Sequence, residues 1–121
     1  MNIFLITLQI VAGLGIYNVW FIRAGKSTAY RGKGAQNLRK EFEAYGLSRN
    51  IMWLVGTIKV LCATGLLLGI WYRELVRPSS SVLSVMMLGA IGMHIKVGDS
   101  FKRTMPALLM FTISLLITIF T

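Results

Sequence analysis

Three polar residues interrupt the long apolar blocks of this 121-residue chain, and their types could do chemistry inside a membrane. Lys59 lies within VGTIKVLCATGLLLGIW, Asn18 lies near the end of the first apolar block, and His94 lies near the end of the third. Lysine, asparagine and histidine donate hydrogen bonds, and histidine also exchanges a proton near neutral pH. We therefore take Asn18, Lys59 and His94 as candidate ligand-binding residues.

The loop beyond His94 holds a further candidate group. Asp99 could form an ion pair with Lys96 at the rim of a cavity, or pair with Lys102 and Arg103 as a solvated loop. One histidine and one carboxylate do not specify a metal site, so we predict none. No nucleophile-and-base arrangement and no glycine-rich phosphate loop is visible, so no catalytic residue is assigned and a stand-alone enzyme is not expected.

The elements that must position these residues are four apolar blocks in a chain that is 55% hydrophobic. Each is near the length of about 20 residues that crosses a hydrocarbon core, and their continuity argues against barrel strands. The sequence therefore predicts one all-α domain over residues 1–121, a four-helix membrane bundle. The predicted spans cover residues 2–22, 50–71, 80–97 and 104–121.

The basic residues indicate a partner and an orientation. The net charge is +9, and because the bases fall between apolar blocks we expect anionic lipid headgroups rather than nucleic acid as partners. Basic residues number ten in the first and third connections against two, Arg73 and Arg77, in the second. The ten are Arg23, Lys26, Arg31, Lys33, Arg39, Lys40, Arg49, Lys96, Lys102 and Arg103. This asymmetry predicts that both termini are extracytoplasmic, in what we expect to be a bacterial inner membrane.

The first connection contains apolar residues at helical spacing within KGAQNLRKEFEAYGL. We predict a short amphipathic helix over residues 35–45 that lies on the membrane surface. Such a helix could dock or gate a partner, or it could be a connector held by anionic lipid. Both interpretations are open on the sequence.

The position of Lys59 has two interpretations. Nine residues after Asn50, its backbone lies about 13 Å below the membrane boundary, where a charge costs on the order of 3 kcal/mol. The side chain could snorkel to the headgroups. Alternatively, because the side chains of Asn18 and His94 lean toward the same depth from antiparallel helices, the three could share a polar cavity inside the bundle.

Gly65 and Gly69 form a GxxxG pair, which permits close approach of two helices, either within the bundle or in a homo-oligomer. We predict helix packing as their role. Cys62 is the only cysteine, so one copy of the chain cannot form a disulfide.

Two segments resemble a known family. NIMWLVGTIKVLCATGLLLG and MMLGAIGMHIKVGDSFKRTMPALLM look like the second-helix and third-to-fourth-helix patterns of the DoxX-like family of small four-helix membrane proteins. The resemblance spans roughly residues 2–120. The second segment is the more specific, because its small residues, histidine, aspartate and proline match in order and spacing, at Gly89, Ala90, His94, Gly98, Asp99, Pro106 and Ala107.

The resemblance implies several functions. The wider superfamily includes a subunit associated with thiosulfate and quinone oxidation, relatives tied to methylamine dehydrogenase maturation, and an animal chaperone for neurotransmitter receptors. The maturation relatives carry extra cysteines, so the single Cys62 argues against thiol exchange. Two hypotheses follow: an accessory subunit of a membrane redox system that binds a quinone or another lipophilic ligand, or a noncatalytic assembly factor for a partner membrane protein. A proton or ion transporter is less favoured, because no second half of a relay is visible.

The topology gives the first prediction. A reporter fused after Thr121 should register an extracytoplasmic location, because most basic residues lie in the connections that face the other side. Paired reporters that are active only in the cytoplasm or only outside it would measure this. A cytoplasmic signal from the fusion would contradict the predicted orientation.

Overall fold

A computed structural model describes residues 2–26 and 30–121 of the chain. The described residues form five α-helices, four of which are long and apolar enough to cross a membrane. The described residues contain no strand. This confirms the predicted all-α membrane bundle with a short helix between its first two spans. The helices are α1 (Ile3–Tyr17), α2 (Leu38–Ala44), α3 (Arg49–Leu68), α4 (Val76–Lys96) and α5 (Phe101–Phe120).

The first span does not end with α1. A π-helical segment, Asn18–Ile22, continues it, so the candidate span covers Ile3–Ile22. A π-helix adds one residue to each turn and shifts the side chains that follow it around the helix axis. Asn18, the first sequence-predicted site residue, begins this segment.

Polar side chains set most helix starts. Each accepts a hydrogen bond from a backbone N–H of the first turn, where no carbonyl of the helix is available. These N-caps are Asn2 for α1, Asn37 for α2, Ser48 for α3 and Ser100 for α5. The caps explain why α5 starts three residues before the predicted residue 104.

The start of α4 differs most from the prediction. The helix begins at Val76, four residues before the expected residue 80, and directly follows a 3₁₀ turn, Arg73–Leu75. Pro78 falls in its first turn, where the missing N–H loses no helical hydrogen bond. The proline is therefore inside the helix rather than ahead of it.

The helices pack as two pairs that close on each other. α4 packs along α5 and α1 along α3, while α3 contacts α4 and α1 contacts α5. Fully buried side chains fill the centre, among them Ala12, Ala63, Leu66, Leu83 and Ile117.

Small residues bring α3 against the start of α4. A Cβ added to Gly65 would lie 2.0 Å from Oγ of Ser79, and one added to Gly69 would lie 2.4 Å from Cγ2 of Val76. A Cβ atom essentially never lies so close to another heavy atom, so this packing requires glycine at both positions. The GxxxG pair therefore contacts α4 of the same chain.

The helix α2 is shorter than the predicted range 35–45, and its apolar face is buried in protein. Leu38 and Phe42 are 6% and 7% exposed and pack with Met52 of α3. The backbone N–H of Leu38 also bonds to the carbonyl of Ala24, at 2.8 Å. α2 therefore covers the end of the bundle, instead of resting its apolar face on lipid.

The first and third connections lie at the same end of the bundle, which we call the α2 end. The backbone N–H of Lys33 donates to Oδ1 of Asp99 at 2.7 Å, and Nζ of Lys96 donates to the carbonyl of Tyr45 at 2.8 Å. The side of the membrane that this end faces remains a prediction.

A close contact between α3 and the π-helical segment generates the second prediction. A Cβ added to Gly56 would lie 2.4 Å from Cζ3 of Trp20. Gly56→Ala should therefore destabilise the fold by about 1–3 kcal/mol, because the indole must leave its packed position. Reversible unfolding in mixed micelles measures the change.

Gly92→Ala is the matched control, because an added Cβ there meets no atom within 4 Å. Alanine is the better helix former, so this variant should be neutral or up to about 1 kcal/mol more stable. Equal effects of the two substitutions would contradict the packing argument.

Candidate functional site

A cavity of about 490 Å³ lies inside the bundle toward the α2 end. All five helices contribute to its wall, which is mainly apolar, with Ile16, Phe42, Val55, Met87 and Met110 among the lining residues. This volume falls within the range of about 300–1,000 Å³ that small-molecule sites occupy. The cavity can therefore hold a molecule of lipid or cofactor size.

The structure places all three sequence-predicted site residues on the wall of this cavity. Asn18 lines it from the π-helical segment, Lys59 from α3 and His94 from α4. His94 is 5% exposed, whereas Asn18 and Lys59 are half-buried. The structure thus brings the three together, and ligand binding by them remains a prediction.

Lys59 lies deep in the bundle. It is ten residues beyond Arg49, the first residue of α3, which corresponds to about 15 Å along the helix and half of a hydrocarbon core. Within the described residues no hydrogen bond or ion pair joins its ammonium group to the protein. Because Lys59 lines the cavity, its cation is available to whatever the cavity holds.

His94 is held by Asp99. Nδ1 of His94 lies 2.7 Å from Oδ2 of Asp99, whose side chain is only 1% exposed. Oδ1 of the same carboxylate accepts the backbone N–H of Lys33 and lies 3.5 Å from Nη1 of Arg103. Burial alone would raise the pKa of Asp99, but these donors and cations outweigh it and hold that pKa below its usual value.

Tyr45 connects α2 to this pair. Its hydroxyl lies 2.7 Å from Oε1 of Glu41 and 3.4 Å from Nε2 of His94. Oε2 of Glu41 in turn lies 3.3 Å from Nη1 of Arg31, a buried arginine that is 4% exposed. Burial and the neighbouring Glu41 carboxylate raise the pKa of Tyr45, so the phenol stays protonated.

The bonding pattern links the imidazole of His94 to the hydroxyl of Tyr45. Asp99 is ionised at neutral pH and can only accept, so Nδ1 of His94 carries a proton. The single Tyr45 proton has two acceptors, Glu41 and Nε2 of His94. When the Tyr45 proton points to Glu41, the Tyr45 oxygen can only accept from His94. That bond then requires a proton on Nε2 as well as on Nδ1.

The predicted ion pair between Lys96 and Asp99 does not form among the described residues, so that prediction is corrected. Asp99 pairs with His94 and Arg103, and Lys96 instead donates to the backbone carbonyl of Tyr45. The reason is the turn at Gly98, which has a positive φ and lets the backbone N–H of Asp99 donate to the carbonyl of His94 at 3.0 Å, so that Asp99 lies beside the end of α4. Lys96 is exposed and leaves that site.

The contacts above form a network of Arg31, Glu41, Tyr45, His94, Asp99 and Arg103. Sequence reasoning missed three of its members. Tyr45 falls among the apolar residues at helical spacing in the predicted surface helix, and the sequence indicates no role in the site for Glu41 or Arg31. A signal was present, because Glu41 and Tyr45 are four residues apart and therefore share a helix face. Nothing in the sequence indicated that this face meets His94, which follows 49 residues later.

The described residues contain no group of three His, Cys, Asp or Glu side chains that could hold a metal ion. Cys62 is buried in the core cluster of the bundle and does not line the cavity. The cavity can offer a ligand hydrogen-bond donors, cations, the imidazole of His94 and an apolar wall.

Comparison with known proteins identifies the family of this chain. A sequence model described as the DoxX-like family matches residues 10–116, which is most of the chain and includes every residue of the network described above. No curated protein and no solved structure matches.

The third prediction concerns Asp99. Its lowered pKa means that the carboxylate stabilises the fold above about pH 4, the usual value for Asp, and that this contribution is lost as pH falls through the lower folded pKa. Asp99→Asn should flatten this acid limb and cost about 1–3 kcal/mol near neutral pH. Unfolding in mixed micelles between pH 3 and pH 8 measures both effects.

Glu43→Gln is the control, because within the described part of the chain Glu43 forms only exposed pairs with Arg39 and Lys40. Such pairs contribute less than about 1 kcal/mol. If Asp99→Asn keeps the wild-type acid limb, or costs no more than Glu43→Gln, Asp99 does not hold the site together.

Proposed function

The chain belongs to the DoxX-like family of membrane proteins, and we propose that it is an accessory subunit of a membrane redox system whose cavity binds a quinone or another lipophilic ligand. A partner subunit would supply the electrons. This chain would hold and orient the ligand. The ten-to-two distribution of basic residues favours a cytoplasmic position for the α2 end.

One observation carries this proposal, namely that a ligand-sized cavity at membrane depth combines an apolar wall with a few polar groups. Apolar surface binds a hydrocarbon portion, and isolated donors fix the polar portion of the same molecule. A lipophilic ligand with a polar end fits this combination. Lipid-exposed helix faces alone would serve an assembly factor, which has no need of such a cavity.

The residues present suit a quinone. Quinone carbonyls accept hydrogen bonds, and Lys59 and Asn18 are donors on the cavity wall. Trp20 and Phe42 supply aromatic surface there, with ring centroids 6.0 Å apart. A bound quinone would supply electron acceptance, while His94, fixed by Asp99, would hold or release a proton at Nε2.

The test uses Trp20 as a reporter within the cavity wall. In a Trp53→Phe and Trp71→Phe background, Trp20 is the only tryptophan of the chain. Decylubiquinone quenches indole fluorescence on contact, so titration in nanodiscs of uncharged lipid should give saturable quenching. Lys59→Met should weaken it at least tenfold while the protein still inserts and folds, because Met keeps an apolar stem and removes a donor.

Two substitutions on α4 form the matched control. Ala90→Phe fills the cavity from its wall and should abolish saturable quenching, whereas Leu88→Phe, on a side chain that is 56% exposed, should not. Quenching that never saturates, or that is equal in both variants, reports quinone in the bilayer alone. That result would overturn the proposal and leave the assembly factor as the better hypothesis.

A further inference from the structure

The wall of the cavity carries more positive than negative charge. Among the described residues, four basic side chains line it, Arg23, Arg31, Lys59 and Arg103, against one carboxylate, Glu41. Two of the four have acidic partners, because Arg31 pairs with Glu41 and Arg103 pairs with Asp99 behind the wall. Arg23 and Lys59 have no carboxylate partner among the described residues. The cavity thus presents uncompensated positive charge.

Of these two cations, Lys59 is the one that water at the bundle end solvates less readily. Arg23 is exposed at the α2 end and can be solvated, whereas Lys59 lies about 15 Å along α3 and faces the cavity. Glu41 attracts it, but that carboxylate already accepts from Arg31 and Tyr45. A neutral ligand would solvate the ammonium without compensating its charge. An anionic oxygen would do both.

The cavity also reaches the outer surface of the bundle at the depth of Lys59. Val85 and Gly89 of α4 line the cavity, although Val85 is 70% exposed and a Cβ on Gly89 would meet no atom within 4 Å. Gly89 and Val85 lie seven and eleven residues before the end of α4, about 10 Å and 16 Å along the helix from the α2 end, so the opening includes the depth of Lys59. An apolar chain can therefore pass from the cavity into the hydrocarbon core.

We propose that the ligand is a single-chain amphiphile with an oxyanion headgroup, a carboxylate or a phosphate, which pairs with Lys59 while its hydrocarbon chain leaves through the opening at Val85 and Gly89. This rests on the proposed function, that the cavity binds a lipophilic ligand, and among such ligands it selects an acid over a neutral quinone. His94 and Asn18 are then hydrogen-bonding neighbours of the headgroup.

The experiment compares acid and ester forms of one chain. In the background with Trp20 as the only tryptophan, 9,10-dibromostearic acid and its methyl ester are titrated in nanodiscs of uncharged lipid, where bromine quenches indole on contact. The acid should saturate the quenching at a concentration at least tenfold below that of the ester. A dibrominated lysophosphatidic acid serves as the phosphate arm and shows which oxyanion binds more tightly.

Variants at Lys59 test the charge itself. Lys59→Met should bring the acid within twofold of the ester, and Lys59→Arg should restore the preference. Lys102→Met removes an exposed lysine that does not line the cavity, so it should leave the preference unchanged and thereby exclude a general effect of net charge.

A separate pair of variants tests the opening at Val85 and Gly89. Gly89→Phe should slow binding of the acid at least tenfold in stopped-flow quenching, whereas Gly92→Phe, on the same helix but outside the cavity wall, should not. Equal rates in the two variants would overturn the assigned route for the chain.

The outcomes separate this inference from the proposed function. Acid and ester that bind equally well, or decylubiquinone that binds more tightly than the acid, would overturn the inference and keep the lipophilic site. Displacement of the acid by millimolar inorganic phosphate would show a site for a free anion and overturn the amphiphile. If no probe gives saturable quenching, both proposals fall.

Discussion

The burial of the Asp99 carboxylate is the constraint on which the α2 end of this protein depends. A carboxylate that is 1% exposed must be compensated on both oxygens, and here the compensation comes from three parts of the chain. His94 belongs to α4, Arg103 belongs to α5, and the N–H of Lys33 belongs to the first connection. One carboxylate therefore holds together segments that are distant in sequence.

This anchoring determines what α2 can do. With the first connection bonded to Asp99, the helix lies across the end of the bundle, where Leu38 and Phe42 gain apolar contacts that a surface helix would seek in lipid. Tyr45, at the end of α2, then reaches His94, and Glu41 reaches Arg31. The same geometry that closes the bundle end lines the cavity with linked titratable groups.

In the opposite half of the bundle the described side chains pack closely. Gln9 is fully buried and satisfied, because its amide donates to the carbonyl of Leu66 and its oxygen accepts from Arg73. Gly65 and Gly69 let α4 approach α3 closely there. The bundle therefore combines a tightly packed half, which fixes the helices, with a half in which charged and aromatic groups surround open space.

The sequence by itself determined the number and kind of helices, because continuous apolar blocks of membrane length have no other stable form in a bilayer. It also indicated that the side chains of Asn18, Lys59 and His94 reach a common depth, since helix rise gives the depth of each backbone and side chains lean toward the N-terminus of their helix. It could not give the start of α4 or the burial of α2, which depend on a 3₁₀ turn and on contacts across the bundle. Only the tertiary structure decided that Asp99 bonds to His94 rather than Lys96, and that Tyr45 completes the wall. These contacts join elements that are far apart in sequence. Hydrophobic periodicity does not determine how each helix is rotated about its axis relative to the others, so it could not predict them.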